Sequence, residues 1–183
     1  MGNNYNLVAS FTPNAGTTTF NGQANASSRV VTITITENGN PFYSTTYTDY
    51  YLLNPNWTPL GTTWPSGTPY LLVNSGSFQE LPATINVGDS GPVFNATYYH
   101  NNSNPPTQDA TLAVTYSVSA HNANNLNFCL EFDIPSASVT AQGTSDGIVP
   151  GSQTYCFHVD AAGNANLNSW TVYNADTGVT LTF

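Results

Sequence analysis

Alternation of apolar and hydroxyl side chains, with a period of two residues, is the feature that most limits the fold of this sequence. Val31, Ile33 and Ile35 alternate with threonines, and Asn38 and Gly39 follow the run. In a β-strand, successive side chains point to opposite faces of the sheet. The dipeptide Asn-Gly readily adopts the positive φ angles of a type I′ hairpin turn. The stretch 29–47 is therefore predicted to be a β-hairpin.

The rest of the chain repeats this pattern and shows no helical periodicity. Leu112, Val114, Tyr116 and Val118 share one face of a second alternating run. Clusters of Gly, Pro, Asn and Ser separate the further predicted strands, which lie near 5–11, 69–73, 83–87, 93–99, 126–133, 153–159, 168–173 and 178–183. Short strands at this spacing are typical of sandwiches rather than parallel α/β sheets. We predict an all-β fold, a single antiparallel β-sandwich of jelly-roll or immunoglobulin-like type, with about ten strands in one domain over residues 1–183.

Charged side chains are rare, and nearly all of them are acidic. Arg29 is the only basic residue beside ten Asp and Glu residues, so the formal net charge is -9. Binding to nucleic acid or to an anionic membrane surface requires Lys and Arg. We therefore expect no nucleic-acid partner and no electrostatic membrane docking.

The composition also suggests where the protein works. Aromatic residues make up 13% of the chain, which favours a folded protein over a disordered one. A single Arg and no Lys leave trypsin-like proteases almost no cleavage site, which suits an exposed setting. The opening MGNNYNLVAS has neither the charged nor the apolar region of a signal peptide. The expected location is extracellular or at the cell surface, without a visible signal peptide.

The two cysteines, Cys129 and Cys156, are each predicted on the less apolar face of a strand. A disulfide between them is the preferred interpretation, since paired cysteines are usual in extracellular proteins. Two unpaired structural thiols are an alternative. A further alternative is a soft metal site, although no CxxC or HxxxH spacing supports it; its ligands would be Cys129, Cys156, His158 and Glu131.

No catalytic motif is found. The segment GDSGP at 88–92 resembles, one glycine short, the nucleophile segment of chymotrypsin-like serine proteases. Such a site needs its histidine upstream of the serine, whereas all histidines lie downstream, at His100, His121 and His158. Glu131 and Asp133 share a strand face, but the sequence shows no aromatic cleft around this pair. We therefore predict that the protein is not an enzyme, with no catalytic residue and no cofactor.

Four carboxylates are predicted in or beside loops, at Asp89, Asp109, Asp146 and Asp160. Oxygen ligands at flexible spacing are what calcium prefers, but no EF-hand or similar pattern connects these residues. Solvated loop acids are the simpler interpretation, and no metal site is predicted.

The segment 54–69, NPNWTPLGTTWPSGTP, places two tryptophans among turn residues and four stiffening prolines. Trp and Tyr rings can stack on the C–H faces of sugars, while neighbouring Asn and Asp side chains bond to hydroxyl groups. The predicted ligand site therefore comprises Trp57, Trp64, Tyr50, Asn54, Asn56 and Asp49. The alternative is that at least one tryptophan folds back onto the core.

These features together favour a non-catalytic carbohydrate-binding protein, a lectin or adhesin-like module with glycans as partners. Single shallow sites bind weakly, so useful binding is expected to require a homo-oligomer or repeated ligands. Two alternatives remain open at this point. One is a structural, self-assembling subunit such as a fibre, capsid or surface-layer component, and the other is a membrane-acting, toxin-like protein that binds a lipid headgroup.

Overall fold

The computed structural model describes residues 5–53, 57–66, 70–100, 106–122 and 125–183. Asn54 and Asn56 of the predicted ligand site lie outside these residues. The strands are β1 (Tyr5–Pro13), β2 (Thr18–Phe20), β3 (Gln23–Glu37), β4 (Asn40–Leu52), β5 (Thr58–Thr63), β6 (Tyr70–Val73), β7 (Ser90–Tyr99), β8 (Gln108–Ala120), β9 (Asn125–Ile134), β10 (Gly151–Asp160), β11 (Ala165–Asn174) and β12 (Val179–Thr182). A 3₁₀ turn (Ser136–Ser138) and a short helix, α1 (Ala141–Ser145), link β9 to β10.

All twelve strands belong to one antiparallel sheet, and their order in space follows their order in the chain except that β2 pairs only with β3. The all-β, antiparallel prediction is confirmed. The two-sheet sandwich is not confirmed, because every strand is hydrogen-bonded into the same sheet. None of the helices in the described part of the chain is long and apolar enough to cross a membrane.

The predicted hairpin is formed by β3 and β4. Asn38 and Gly39 have φ angles of 50° and 82°, as the two-residue turn requires. Val31 and Ile35 are buried, so the apolar face of β3 points inwards as expected. The apolar face predicted for β8 is likewise buried at Leu112, Val114 and Val118.

Two parts of the strand assignment were wrong. Residues 83–87 form no strand; the segment ends in a turn in which the backbone N–H of Asn86 donates to the Asp89 carboxylate at 2.7 Å. Conversely, the segment between the tryptophans is not a loop, because β5 runs through it and pairs with β4 and β6. Its proline, Pro59, obscured the strand, and the structure tolerates it beside a bulge in the pairing with β4.

The sheet curves so that its first and last strands approach each other. The ring of Tyr5 in β1 lies 5.5 Å from the ring of Phe183, just beyond β12. The main core lies inside this curve, on strands β6 to β8, and consists of Leu71, Val93, Ala96, Leu112 and Val114. Half-buried aromatic side chains from β7, β8 and β9 extend it.

Candidate functional site

The only basic side chain of the protein is fixed at one end of the β3–β4 hairpin. Arg29 and Asp49 are cross-strand partners, and Arg29 Nη2 and Nε lie 3.2 and 3.3 Å from Asp49 Oδ2. The hydroxyl of Thr62 in β5 donates to Asp49 Oδ1 at 2.9 Å. Three neighbouring strands therefore contribute to one polar group of side chains.

Aromatic rings surround the guanidinium group of Arg29. Its Cζ atom lies 4.9 Å from the ring centroid of Phe11, 5.0 Å from that of Trp57 and 5.9 Å from that of Tyr51. Arg favours such positions because the negative face of an aromatic ring attracts the cation. We call Arg29, Asp49, Phe11, Tyr51 and Trp57 the Arg29 cluster.

Trp57 and Phe11 are the two exposed members of the Arg29 cluster. The Trp57 side chain is 45% exposed, and its ring centroid lies 5.0 Å from that of Tyr51. Its φ angle is 49°, a left-handed conformation that is unusual for a bulky side chain. Strained backbone of this kind is often found where a side chain must be held for binding.

Burial affects the charge of Asp49. Desolvation raises the pKa of this carboxyl group, while the hydrogen bond from Thr62 and the charge of Arg29 act in the opposite direction. The carboxylate therefore depends on these two partners to stay ionised. Its two oxygens are held in a fixed orientation as a result.

A shallow cavity of about 380 Å³ adjoins the Arg29 cluster. Ser27, which lines it, is the cross-strand partner of Tyr51. Its lining offers hydroxyl and amide groups beside apolar ones, from Thr17, Gln23, Ala24, Asn25, Ser27, Leu52 and Leu53.

Two of the predicted ligand residues, Trp64 and Tyr50, lie away from the Arg29 cluster. Trp64 packs against the main core, with its ring 6.0 Å from Tyr47 and 6.1 Å from Tyr98. Tyr50 lies on the face of β4 opposite Asp49, where its ring stacks on Phe20 at 4.1 Å. Of the described ligand residues, the structure thus brings together only Trp57 and Asp49.

Cys129 and Cys156 are cross-strand partners in β9 and β10 and form a disulfide with an S–S distance of 2.07 Å. Both sulfur atoms are used in this bond, so neither serves as a thiolate ligand for the soft metal site. The bond joins two strands in the C-terminal half of the sheet.

A second polar cluster was missed at the sequence level. His100 follows β7, Asp109 is in β8, and Asp146 ends α1, and one ligand atom from each lies within 4.8 Å of the others. His100 Nδ1 and Asp146 Oδ2 are 2.5 Å apart, and Gln142 Nε2 donates to Asp146 Oδ1 at 3.0 Å. Because His100 and Asp146 are 46 residues apart, no local motif could have revealed the cluster. We call His100, Asp109 and Asp146 the His100 cluster.

The local structure around α1 holds the His100 cluster together. The hydroxyl of Thr140 accepts a hydrogen bond from Gly143 N at 3.0 Å and so caps the helix. Gly143 sits against β8, since a Cβ atom there would lie 2.6 Å from the carbonyl oxygen of Asp109. Only glycine permits this close approach, which brings the end of α1 to Asp109.

The ionisable groups of the His100 cluster influence one another. Burial, together with the neighbouring Asp146, raises the pKa of Asp109 to about 6. The hydrogen bond from His100 lowers the pKa of Asp146, and the same bond raises the pKa of His100. The favoured state is therefore an ion pair between His100 and Asp146, with Asp109 beside it.

The interpretation of the four acids as solvated loop residues was wrong for Asp109, which is buried in β8, whereas Asp89 and Asp160 serve as turn residues. Asp89 accepts the hydrogen bond from Asn86 described above. Asp160 accepts hydrogen bonds from the backbone N–H groups of Ala162 and Asn164, both at 2.9 Å.

Comparisons of the chain with protein-family models, with curated proteins and with solved structures find no match.

Proposed function

We propose that the protein is a non-catalytic carbohydrate-binding protein, lectin or adhesin-like, whose binding surface is the Arg29 cluster. The exposed ring of Trp57, held in place by Arg29 and Tyr51, is the observation that carries this proposal. The strained backbone at Trp57 adds support, because strain of this kind has a cost in stability and is concentrated at ligand-binding positions.

The chemistry of the surface suits a sugar ring. A pyranose presents C–H groups that stack on an aromatic face, and Trp57 offers such a face near Phe11, which is 56% exposed. Sugar hydroxyl groups need fixed donors and acceptors, which Arg29 and Asp49 provide in one orientation. The adjoining cavity has room and polar groups for further hydroxyl contacts.

The proposal does not depend on the sandwich architecture expected from the sequence. A jelly-roll or immunoglobulin-like arrangement would add a second sheet, but the Arg29 cluster uses only β1, β3, β4 and the residue before β5. A shallow site of this kind binds with dissociation constants on the order of micromolar to millimolar. Useful affinity then requires several copies of the protein or a repeated ligand, at the cell surface or outside the cell.

A glycan array with labelled protein tests the proposal, run once with calcium and once with EDTA. We expect binding to a chemically related set of sugars, equal under both conditions, because the Arg29 cluster supplies its own cation. Binding that disappears in EDTA would place the sugar site at other carboxylates. A blank array would contradict the proposal, and liposome co-sedimentation would then test the lipid-headgroup alternative.

Self-assembly is the second candidate, and the sheet edges favour it. Beyond the contact between Tyr5 and Phe183, the outer edge of β1 has no strand partner among the described residues. Val8 in β1 and Val179 in β12 are exposed, at 55% and 50%, and no lysine is present to prevent edge-to-edge pairing. Light scattering after gel filtration tests this candidate: large assemblies support it, and a monomer excludes it.

A further inference from the structure

We propose that the His100 cluster binds a divalent transition-metal ion of the zinc type, with His100, Asp109 and Asp146 as protein ligands. This site is separate from the Arg29 cluster and independent of carbohydrate binding. No metal site was predicted from the sequence.

Asp109 is the strongest reason for the proposal. Its side chain has no exposed surface, and neither of its carboxylate oxygens meets the distance and angle of a hydrogen bond with a described residue, although, in addition to burial, the Asp146 carboxylate is close enough to raise the pKa of Asp109. Leaving such a group unpaired in the interior lowers stability, and it does so more strongly when the group is charged. These oxygens face His100 and Asp146, so a cation bound between the three residues would satisfy them.

The charges of the cluster lead to the same conclusion. Two carboxylates lie together in a largely buried position, where the Asp146 side chain is only 11% exposed. His100, when protonated, forms an ion pair with Asp146, and Asp109 then has no ion-pair partner of its own in the part of the chain that the structure describes. A divalent ion balances both carboxylates and binds the neutral form of His100.

The ligand types indicate which metal fits. Zinc accepts imidazole nitrogen and carboxylate oxygen at about 2.0–2.2 Å, usually from three or four ligands. Ligand atoms within 4.8 Å of one another can reach such an ion with small side-chain movements. Calcium prefers six to eight oxygen ligands, so a site containing imidazole suits it less well. The His100 side chain is 34% exposed, which gives an ion access from solvent.

Zinc titration of the metal-free, full-length protein against a chromophoric chelator tests the proposal. We expect wild type to bind a single zinc ion, and Asp109→Asn and Asp146→Asn to weaken binding by about 100-fold or more, since even residues that only orient ligands matter 10–100-fold. Asp89→Asn is the matched control, because it also removes one carboxylate but from a turn outside the cluster. Circular dichroism of each variant shows whether it is folded.

A second pair of variants distinguishes loss of a zinc ligand from misfolding, and zinc binding at the His100 cluster from binding at another histidine. His100→Ala changes a partly exposed side chain and is expected to abolish binding as well. His121→Ala removes a ring that stacks on His158 at 3.7 Å, away from the proposed ligands, and should leave binding intact. The proposal is overturned if wild type binds no zinc, if His100→Ala binds as tightly as wild type, or if only His121→Ala loses the ion.

Discussion

At the scale of single residues, one cation organises the proposed binding surface. Arg29 contacts aromatic rings from β1, from β4 and from the residue before β5, and it also forms an ion pair with Asp49. The only basic side chain of the protein therefore contacts, and helps to position, the other side chains of the Arg29 cluster. Trp57 is one of them: its exposed ring contacts both Arg29 and Tyr51, and its backbone is strained.

Two substitutions of Trp57 distinguish the effect of removing its ring from the effect of relieving its backbone strain. Trp57→Ala removes the ring but keeps a Cβ atom at a φ of 49°, whereas Trp57→Gly removes the ring and the strain together. We expect Trp57→Gly to be more stable than Trp57→Ala by about 1 kcal/mol. Urea unfolding measures this difference, and an alanine variant as stable as the glycine variant would show that the backbone is not strained.

Among the elements, β5 depends on a glycine. Gly61 has a φ angle of 155°, and a Cβ atom at this position would lie 2.1 Å from the carbonyl oxygen of Leu71 in β6. Gly61→Ala is expected to destabilise the protein by roughly 2–5 kcal/mol, through backbone strain and the forced separation of β5 from β6. Gly76→Ala is the control, because Gly76 has a positive φ of 71° but a Cβ atom added there would meet nothing within 4 Å. If thermal unfolding shows the same loss of stability for Gly61→Ala and Gly76→Ala, the close approach of Gly61 to β6 does not determine the effect of the substitution.

The disulfide should stabilise the pairing of β9 with β10. It closes a chain segment with a sequence separation of 27, which restricts the unfolded state. Reduction is expected to lower the free energy of unfolding by about 2–4 kcal/mol. Urea unfolding with and without reductant measures the loss, and a Cys129→Ala/Cys156→Ala variant should match the reduced protein and no longer respond to reductant. An identical stability in both conditions would contradict this role.

Local signals predicted the strands better than the site. The β3–β4 hairpin could be predicted because alternation and the Asn-Gly turn are short-range features. β5 was missed, since Pro59 and Gly61 both argue against a strand and only its neighbours on either side stabilise it. Likewise, Trp57 was identified from its residue type, whereas Arg29 entered only as a charge, because its aromatic neighbours come from distant parts of the chain. The His100 cluster was missed for the same reason, because its three residues come together only in the folded chain.

For the whole molecule, the curvature of the sheet brings phenol groups from distant strands into the interior. Burial raises the pKa of Tyr98 to about 12, and burial together with Tyr98 and Tyr43 raises that of Tyr155 to about 12. Burial also raises the pKa of Tyr47, to which Asp49 contributes. These side chains belong to β4, β7 and β10, so they report on the curved shape of the sheet.

The buried phenols make stability depend on alkaline pH. In the unfolded chain a tyrosine loses its proton near pH 10, whereas in the folded protein Tyr98 and Tyr155 keep theirs up to about 12. The folded state therefore binds more protons in this interval, and the free energy of unfolding should fall as the pH rises above about 10. Urea unfolding across this interval measures the fall, and Tyr98→Phe should make it shallower. A constant free energy would contradict the buried arrangement.

Sugar binding by the exposed face of Trp57 underlies the proposed function, and a glycan array of three proteins tests it. The array compares wild type with Trp57→Gly and with Phe42→Ala, which removes an aromatic ring that is 51% exposed at the other end of β4. We expect wild type and Phe42→Ala to bind the same related sugars, and Trp57→Gly to bind them at least about tenfold more weakly. Equal binding by all three proteins, or no binding by wild type, would contradict this expectation.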